Sequence, residues 1–170
     1  GVTVTRSYAT GAVDGTAEVG GLIGSSSGTV NTSYAVGGAS GTTDIGGLVG
    51  NLTVTGTVDR SYAAGTVNGG STARGLTGSS TGTVTNAYWD TETTGQSTSA
   101  GNATGLTTSD LKGNAATTNT ALNFTTTWSV FDNGTYVSYP YLQANPQQPE
   151  PGLEEIVTPE SPGGSGSSGG

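Results

Sequence analysis

The sequence predicts an all-β protein, a right-handed parallel β-helix built from rungs of about 26 residues. Three observations predict this solenoid. A Ser-Tyr-Ala motif recurs at near-constant spacing, 31 of the 170 residues are glycine, and only 31% of the residues are hydrophobic. A chain with so few bulky apolar side chains cannot fill a large compact core. A thin core between stacked strands is therefore expected.

The repeat is anchored on four tyrosines, which follow one another at intervals of 26, 28 and 26 residues: Tyr8, Tyr34, Tyr62 and Tyr88. A valine precedes each tyrosine by four residues, and a leucine follows each of the first three by fourteen. These two rows are Val4, Val30, Val58 and Val84, and Leu22, Leu48 and Leu76. Regular recurrence of equivalent residues is typical of solenoids, so we expect each row to stack as an inward ladder.

The longer interval has a local cause. Two extra residues lie between Gly50 and Gly56, and the register is intact again at Val58 and Tyr62. A solenoid tolerates such an insertion because a turn can lengthen outward without disturbing the stack. We therefore expect residues 51–55 to bulge away from the rungs.

The repeats favour strands over helices. Glycine recurs every few residues, and each glycine costs about 1 kcal/mol relative to alanine inside a helix. The segments between glycines are short and β-branched, as in Thr57-Val58, and such runs bounded by turn residues are typical of strands. A β-sandwich of short strands is the alternative architecture, although a sandwich does not require equal spacing of identical motifs.

Three regions follow from the period and composition. Residues 1–90 carry the repeats. Residues 91–142 break the period and are predicted to form the last rungs and a C-terminal cap, with a short helix begun by Thr107, Thr108 or Ser109. Their aromatic residues could alternatively form a carbohydrate-binding platform. Residues 143–170, rich in Pro and Glu and then in Gly and Ser, are predicted to be a flexible linker or tail that packs on nothing.

The repeat motifs resemble those of a known family. Gly-Gly-Leu-Ile-Gly at 20–24 and Gly-Thr-Val-x-x-Ser-Tyr-Ala at 28–35 resemble the GLUG-motif repeat of large bacterial surface proteins, including filamentous-haemagglutinin-like adhesins and some immunoglobulin A peptidases. Segments 87–97, 105–112, 128–132 and 138–142 resemble the ends of such arrays, so the resemblance covers about residues 1–142. It implies a structural β-solenoid, and in the peptidase relatives catalysis belongs to other domains.

Composition argues against several kinds of site. The chain has no Cys, His or Met, so thiolate and imidazole metal ligands are excluded. The carboxylates with some claim to a site are Asp44, Asp59, Asp90 and Glu92; Asp44 has a partial counterpart in Glu18, and Asp90 with Glu92 could offer oxygen ligands to Ca²⁺. Turn and outer-face roles are the favoured interpretation. The sequence therefore predicts no enzyme, with no catalytic residues, no cofactor and no metal site.

The expected function is that of a non-catalytic structural or display segment, a stalk or passenger, of a secreted or cell-surface adhesin. The alternative is a carbohydrate- or matrix-binding module. The net charge of −8 disfavours nucleic acid and anionic membrane surfaces as partners, and no membrane insertion is expected. Host or matrix glycans or proteins are the expected partners of a monomeric segment within a larger extracellular polypeptide. Five glycosylation sequons are present, at Asn31, Asn51, Asn102, Asn123 and Asn133.

Overall fold

Stacked rungs of short strands form the repeat region in a computed structural model that describes residues 1–155. The first rung contains β1 (Thr3–Thr5), β2 (Tyr8–Ala9), β3 (Val13–Asp14), β4 (Ala17–Gly20) and β5 (Ile23–Ser26). The second contains β6 (Thr29–Asn31), β7 (Tyr34–Ala35), β8 (Ala39–Ser40), β9 (Thr43–Gly46) and β10 (Val49–Leu52). The third contains β11 (Thr57–Asp59), β12 (Tyr62–Ala63), β13 (Val67–Asn68), β14 (Ala73–Arg74) and β15 (Thr77–Ser80).

Equivalent strands of successive rungs pair in parallel and form five stacks. The valine stack continues into β16 (Thr83–Thr85), and the tyrosine stack continues into β17 (Tyr88–Asp90) and β18 (Thr104–Leu106). The pairing register places Val4 opposite Val30, and Tyr34 opposite Tyr62. The parallel β-solenoid with rungs of about 26 residues is therefore confirmed, and the β-sandwich alternative is wrong.

The core is the narrow space inside the rungs. Val30, Val58, Leu48 and Leu76 are fully buried there, which confirms both ladders. Leu22 is only half-buried because it lies in the first rung, at the open side of the stack. In the tyrosine stack the alanines belong to this core, whereas the tyrosines belong to a second cluster on the outer side.

A row of glycines lets strands approach each other without side chains between them. A methyl group added at Gly46 would lie 2.6 Å from the backbone nitrogen of Gly78 in the next rung. Gly20 has the same relation to Gly50. The equivalent residue of the third rung is Arg74, and β15 is the last strand of its stack among the described residues. An arginine therefore fits only where the next rung is incomplete.

The two-residue insertion lies in the turn after β10, as expected. Thr53 accepts a hydrogen bond from Gly56 across this turn, and the side chain of Val54 is 76% exposed. Strands β10 and β11 nevertheless keep register with β5 and β6. The insertion therefore leaves the stack undisturbed.

The core is closed at its C-terminal side by Trp89 and by residues 91–103, which lie between β17 and β18 and form a shortened fourth turn of the solenoid. Trp89 stands opposite Ala63 in the tyrosine stack, and its indole lies directly against Gly75. The Nε1 group donates to the carbonyl oxygen of Gln96, at 2.8 Å. Backbone carbonyls of Thr94 and Thr98 in this turn accept from the third rung at Val67 and Gly75.

The chain after β18 runs along the side of the solenoid. It contains α1 (Thr108–Leu111), α2 (Gly113–Asn119), β19 (Trp128–Ser129), β20 (Tyr136–Val137), β21 (Tyr141–Leu142) and β22 (Glu154–Glu155), with β19 paired to β21 and β20 to β22. Thr107 caps α1, since its Oγ1 accepts from the Asp110 N–H at 3.2 Å. Trp128 and Leu142 pack on the outward tyrosines. None of the helices in residues 1–155 has the length and apolar character needed to cross a membrane.

The prediction that residues 143–170 pack on nothing is wrong for the part that the structure describes. The Pro151 carbonyl accepts from the Tyr139 N–H at 2.8 Å, and the Gly152 carbonyl accepts from Lys112 Nζ at 2.7 Å. Pro151 is buried, and Gln147 accepts from the Tyr34 hydroxyl. Backbone carbonyls rather than apolar side chains make most of these contacts. The rest of the predicted tail, 156–170, lies outside the described residues.

Candidate functional site

The outward tyrosines form the first surface that a ligand-binding role could use. Tyr8, Tyr34 and Tyr62 stack with ring centroids 5.2 and 5.1 Å apart and planes within 12° of parallel. Such stacking follows from the rungs, because successive strands in a sheet lie about 4.8 Å apart. Tyr139 extends the stack, with its ring centroid 6.1 Å from that of Tyr62.

This tyrosine ladder is covered by the chain's own C-terminal segment. Tyr62 is fully buried and donates to the Pro140 carbonyl at 2.6 Å, and the Tyr88 hydroxyl accepts from the Ala121 N–H at 2.7 Å. The Trp128 ring centroid lies 5.8 Å from that of Tyr34 and is equally far from that of Tyr62. The central aromatic residues are therefore spent on packing, and they do not form an exposed carbohydrate-binding platform.

Burial sets the titration of these phenols. It raises the pKa of Tyr34, Tyr62 and Tyr139 above the ordinary value of 10.0. For Tyr139, the hydrogen bond to Asp90 acts in the same direction. The neutral phenol is thus the form that this packed face requires.

Asp90 and Glu92 hold turns together. The buried Asp90 carboxylate accepts from the Glu92 and Thr93 N–H groups at 2.9 and 3.0 Å, and its other oxygen accepts from the Tyr139 hydroxyl. Glu92 accepts from the Thr108 N–H at 2.8 Å, next to the start of α1. No group of three or more Asp or Glu side chains suited to a metal ion occurs within residues 1–155.

Asp59 is the last residue of β11, just before the turn that leads to β12. It forms an ion pair with Arg60 at 2.6 Å and accepts from Thr85 and Asn86 of the following rung, each at 3.0 Å. These contacts join two rungs at the surface. Their partly exposed setting makes the ion pair worth little, about 0–1 kcal/mol.

Asp44 is a sequence candidate that lines a cleft. Together with five polar neighbours, it borders a groove of about 470 Å³ beside β14 and β15; these neighbours are Thr72, Arg74, Ser79, Ser80 and Ser99. We call it the serine groove. Asp44 has a left-handed backbone conformation, with φ at 52°, as does its counterpart Glu18 in the rung before. A non-glycine residue in this region is uncommon and marks a position that the surrounding structure enforces.

The third rung and the shortened fourth turn fix the walls of the serine groove. Arg74 donates through Nη1 to Thr98 Oγ1 at 3.1 Å, and Ser99 Oγ accepts from the Thr77 N–H at 3.0 Å. Thr77 Oγ1 in turn donates to the Ala100 carbonyl. The hydroxyl of Ser80 is buried at the groove wall and has no hydrogen-bond partner among the described residues.

The serine groove combines one carboxylate, one guanidinium and several hydroxyls. A carboxylate accepts hydrogen bonds, a guanidinium donates them, and a serine hydroxyl does both. Such a mixture can bind a neutral polyhydroxylated ligand. Paired-carboxylate hydrolysis, by contrast, needs two acids across a scissile bond, and Asp44 is the acid that borders this groove.

Sequence reasoning found Asp44 but missed Arg74 and Ser80. Arg74 could have been noticed, because it replaces the glycine found at Gly20 and Gly46 in the earlier copies. No feature of the sequence marks Ser80. Its hydroxyl lacks a hydrogen-bond partner among the described residues because of the path that the fourth turn takes. Among the sequons, Asn123 and Asn133 use their side-chain oxygens to accept from nearby backbone N–H groups.

No protein-family model, no curated protein and no solved structure matches the chain.

Proposed function

We propose that this chain is a non-catalytic structural and display segment of a secreted or cell-surface bacterial adhesin, of the kind that its GLUG-like repeats resemble. The observation that carries the proposal is the unbroken register of the stacked strands. Val4, Val30, Val58 and Val84 pair in sequence without a slip, despite the insertion before β11. A stack of this kind lengthens by about 4.8 Å for each rung, which suits a part whose work is reach.

The fate of the polar groups supports the same role. Asp59, Asp90 and Glu92 are each engaged in hydrogen bonds that join rungs or turns. The tyrosine ladder is engaged by the C-terminal segment. Residues that could have served a ligand instead hold the solenoid and its covering segment together.

The acidic balance fits an extracellular display segment. A net charge of −8 repels anionic membrane surfaces and nucleic acids, so the segment would stand clear of the cell surface. Host or matrix glycans and proteins remain the proposed partners of the larger polypeptide, within which this chain acts as a monomer.

A spacer role can be tested in a surface-displayed fusion that carries a binding domain of known ligand. The chain is placed between the anchor and that domain, and capture of ligand-coated beads is measured. We expect capture to survive replacement of the chain by an unrelated rod of equal length and to fall with a short flexible linker. Beads coated with host matrix components, for which the fused domain has no affinity, test direct binding by the chain. If the capture of these beads depends on this chain itself, the spacer proposal fails.

The serine groove favours one second candidate, a carbohydrate- or matrix-binding module. Its donors and acceptors, Arg74 and Asp44 with the neighbouring serines, suit sugar hydroxyls. The test is a glycan array probed with residues 1–155, followed by titration of any glycan that binds. Saturable binding that is lost in Arg74→Ala and Asp44→Asn but kept in Arg60→Ala, which lies outside the groove, would establish this candidate.

A further inference from the structure

The first rung exposes apolar positions that later rungs bury. Val13 is 40% exposed, whereas its stacked equivalents Ala39 and Val67 are each 2% exposed. Val4 and Leu22 are half-buried, whereas Val30 and Leu48 are fully buried. The upstream side of the first rung is therefore an open end of the core.

A row of stacked serines ends at the same open side, where the last hydroxyl, that of Ser7, can accept one more hydrogen bond. The Ser7 N–H donates to Ser33 Oγ at 3.2 Å, and the Ser33 N–H donates to Ser61 Oγ at 3.1 Å. Each hydroxyl meanwhile donates to the carbonyl two residues before it. Ser7 Oγ is oriented in the same way, because it donates its own proton to the Thr5 carbonyl. It can thus accept an N–H from a rung stacked before the first.

A row of glycines marks where the backbone of such a rung would lie. A methyl group added at Gly65 would overlap the carbonyl of Gly37, and one added at Gly37 would overlap the carbonyl of Gly11. A methyl group at Gly11 itself would meet nothing within 4 Å. Gly11 therefore keeps the repeat's glycine at a position where no described residue requires it.

We propose that the upstream edge of the first rung is a docking edge for a further rung of this same repeat. The docked rung places its own serine-position N–H on Ser7 Oγ and its own glycine-position carbonyl over Gly11. Its inward residues cover Val4, Val13 and Leu22. The edge is specific for this partner because the serine row and the glycine row together allow only one alignment of the docked rung with the first rung.

The far end of a second copy does not supply this partner. There the core is closed by Trp89, and the shortened turn containing Gln96 covers the third rung. A head-to-tail stack of two intact chains would require both to move. The occupant is accordingly a rung that leads directly into β1, as the first rung leads into β6 through Gly28.

The test duplicates residues 3–28 in tandem ahead of Thr3, which leaves every later rung unchanged. Hydrogen exchange should show new protection for the amides of the original first rung, and the thermal midpoint should rise. The sharper readout is Gly11→Ala, placed in the original chain, in the inner copy of the extended chain, or in its outer copy. We expect the midpoint to fall only for the inner copy, because only there does a carbonyl lie over the added methyl group.

Gly37→Ala, which should lower the midpoint in both chains, is the control for the steric argument. The proposal is overturned if Gly11→Ala is as harmless in the inner copy as in the outer copy, or if the original first rung gains no protection. It is also overturned if the unextended chain sediments as a dimer that extension abolishes, since a second copy would then be the occupant.

Discussion

Gly46 shows how the fold depends on single small residues. Its α-carbon faces the backbone of the next rung, so that an added methyl group would lie 2.6 Å from the nitrogen of Gly78 and 2.7 Å from the carbonyl oxygen of Leu76. Both neighbours are backbone atoms, which cannot rotate away. We expect Gly46→Ala to reduce the free energy of unfolding by about 1–3 kcal/mol or more, as overpacking does.

Urea denaturation measures this loss, and Gly70→Ala is the matched control. The nearest atom to a methyl group at Gly70 is 3.9 Å away, so the control should change stability by less than about 0.5 kcal/mol. Equal effects of the two substitutions would contradict the close strand approach.

Leu48 tests the core ladder. Its side chain is fully buried between Leu22 and Leu76 of the neighbouring rungs. Leu48→Ala should cost about 2–5 kcal/mol, the range for removing a buried leucine side chain. Val54→Ala, at a residue that is 76% exposed, should be nearly neutral in the same denaturation series. A loss below about 0.5 kcal/mol at Leu48 would exclude the ladder.

At the scale of elements, the segment after Leu142 completes the covering of the tyrosine ladder. Truncation after Leu142 removes Gln147, Pro151 and Gly152, and with them the acceptors of Tyr34, Tyr139 and Lys112. At about 0.5–1.5 kcal/mol for each hydrogen bond, the thermal midpoint should fall by roughly 5 °C or more. Truncation after Glu155 keeps all three acceptors and should therefore give a higher midpoint than truncation after Leu142. Equal midpoints for the two truncations would show that these contacts add nothing.

The turn after β10 should tolerate shortening. Deleting Val54 and Thr55 brings Thr53 next to Gly56, which matches the Ser27–Gly28 turn of the first rung. The deletion removes an exposed valine and two hydrogen bonds. These are the bond from Thr55 Oγ1 to the Ser27 carbonyl and the turn bond from the Gly56 N–H to the Thr53 carbonyl. We expect the thermal midpoint to stay within about 2–4 °C, the shift for a change near 1 kcal/mol. A large drop would mean that the rungs are not independent stacked units.

For the whole molecule, the buried tyrosines predict alkaline unfolding. Burial raises the pKa of Tyr34, Tyr62 and Tyr139 in the folded state, whereas unfolded tyrosines ionise near a pKa of about 10. Above that pH the unfolded state binds fewer protons than the folded state, so stability falls as the pH rises. The contribution is complete below pH of about 10 and is lost toward the raised pKa values, at about 1.4 kcal/mol per pH unit for each phenol.

Denaturant midpoints between pH 8 and 12 measure this dependence. Tyr62→Phe should make the alkaline decline less steep by one proton, and it should also lower stability at pH 8 because the Pro140 carbonyl loses its donor. Tyr136→Phe is the control, at a tyrosine of the covering segment that is 42% exposed. A decline of unchanged slope in Tyr62→Phe would refute the link to the buried phenol.

The repeat could be predicted from the sequence because stacked rungs place equivalent residues at nearly equal intervals along the chain. Val30, Val58, Leu48 and Leu76 were therefore assigned correctly, as was the outward turn after β10. The left-handed corner two residues before each tyrosine gave no signal, since it is occupied by Arg6, Thr32, Arg60 and Asn86 rather than by glycine.

The C-terminal contacts were hidden for a different reason. The carbonyls of Pro151 and Gly152 anchor the segment, and backbone atoms leave no mark in a composition rich in Pro and Glu. The sequence allowed only part of the serine groove to be predicted. Asp44 could be identified because its counterpart in the preceding copy, Glu18, is also an acid, but the wall formed by Arg74 and Ser80 depends on where the stack ends.

The indole of Trp89 also decides how such a protein can change in length over generations. Duplication or loss of a unit between Thr3 and Thr85 places one inward alanine where another had been, so the core side of the tyrosine stack keeps the same small residue. A unit added beyond Trp89 would have to occupy the space that the indole fills against Gly75. We therefore expect the number of units to vary more readily on the amino-terminal side of Trp89 than beyond it, because a unit placed beyond it would displace the closing indole.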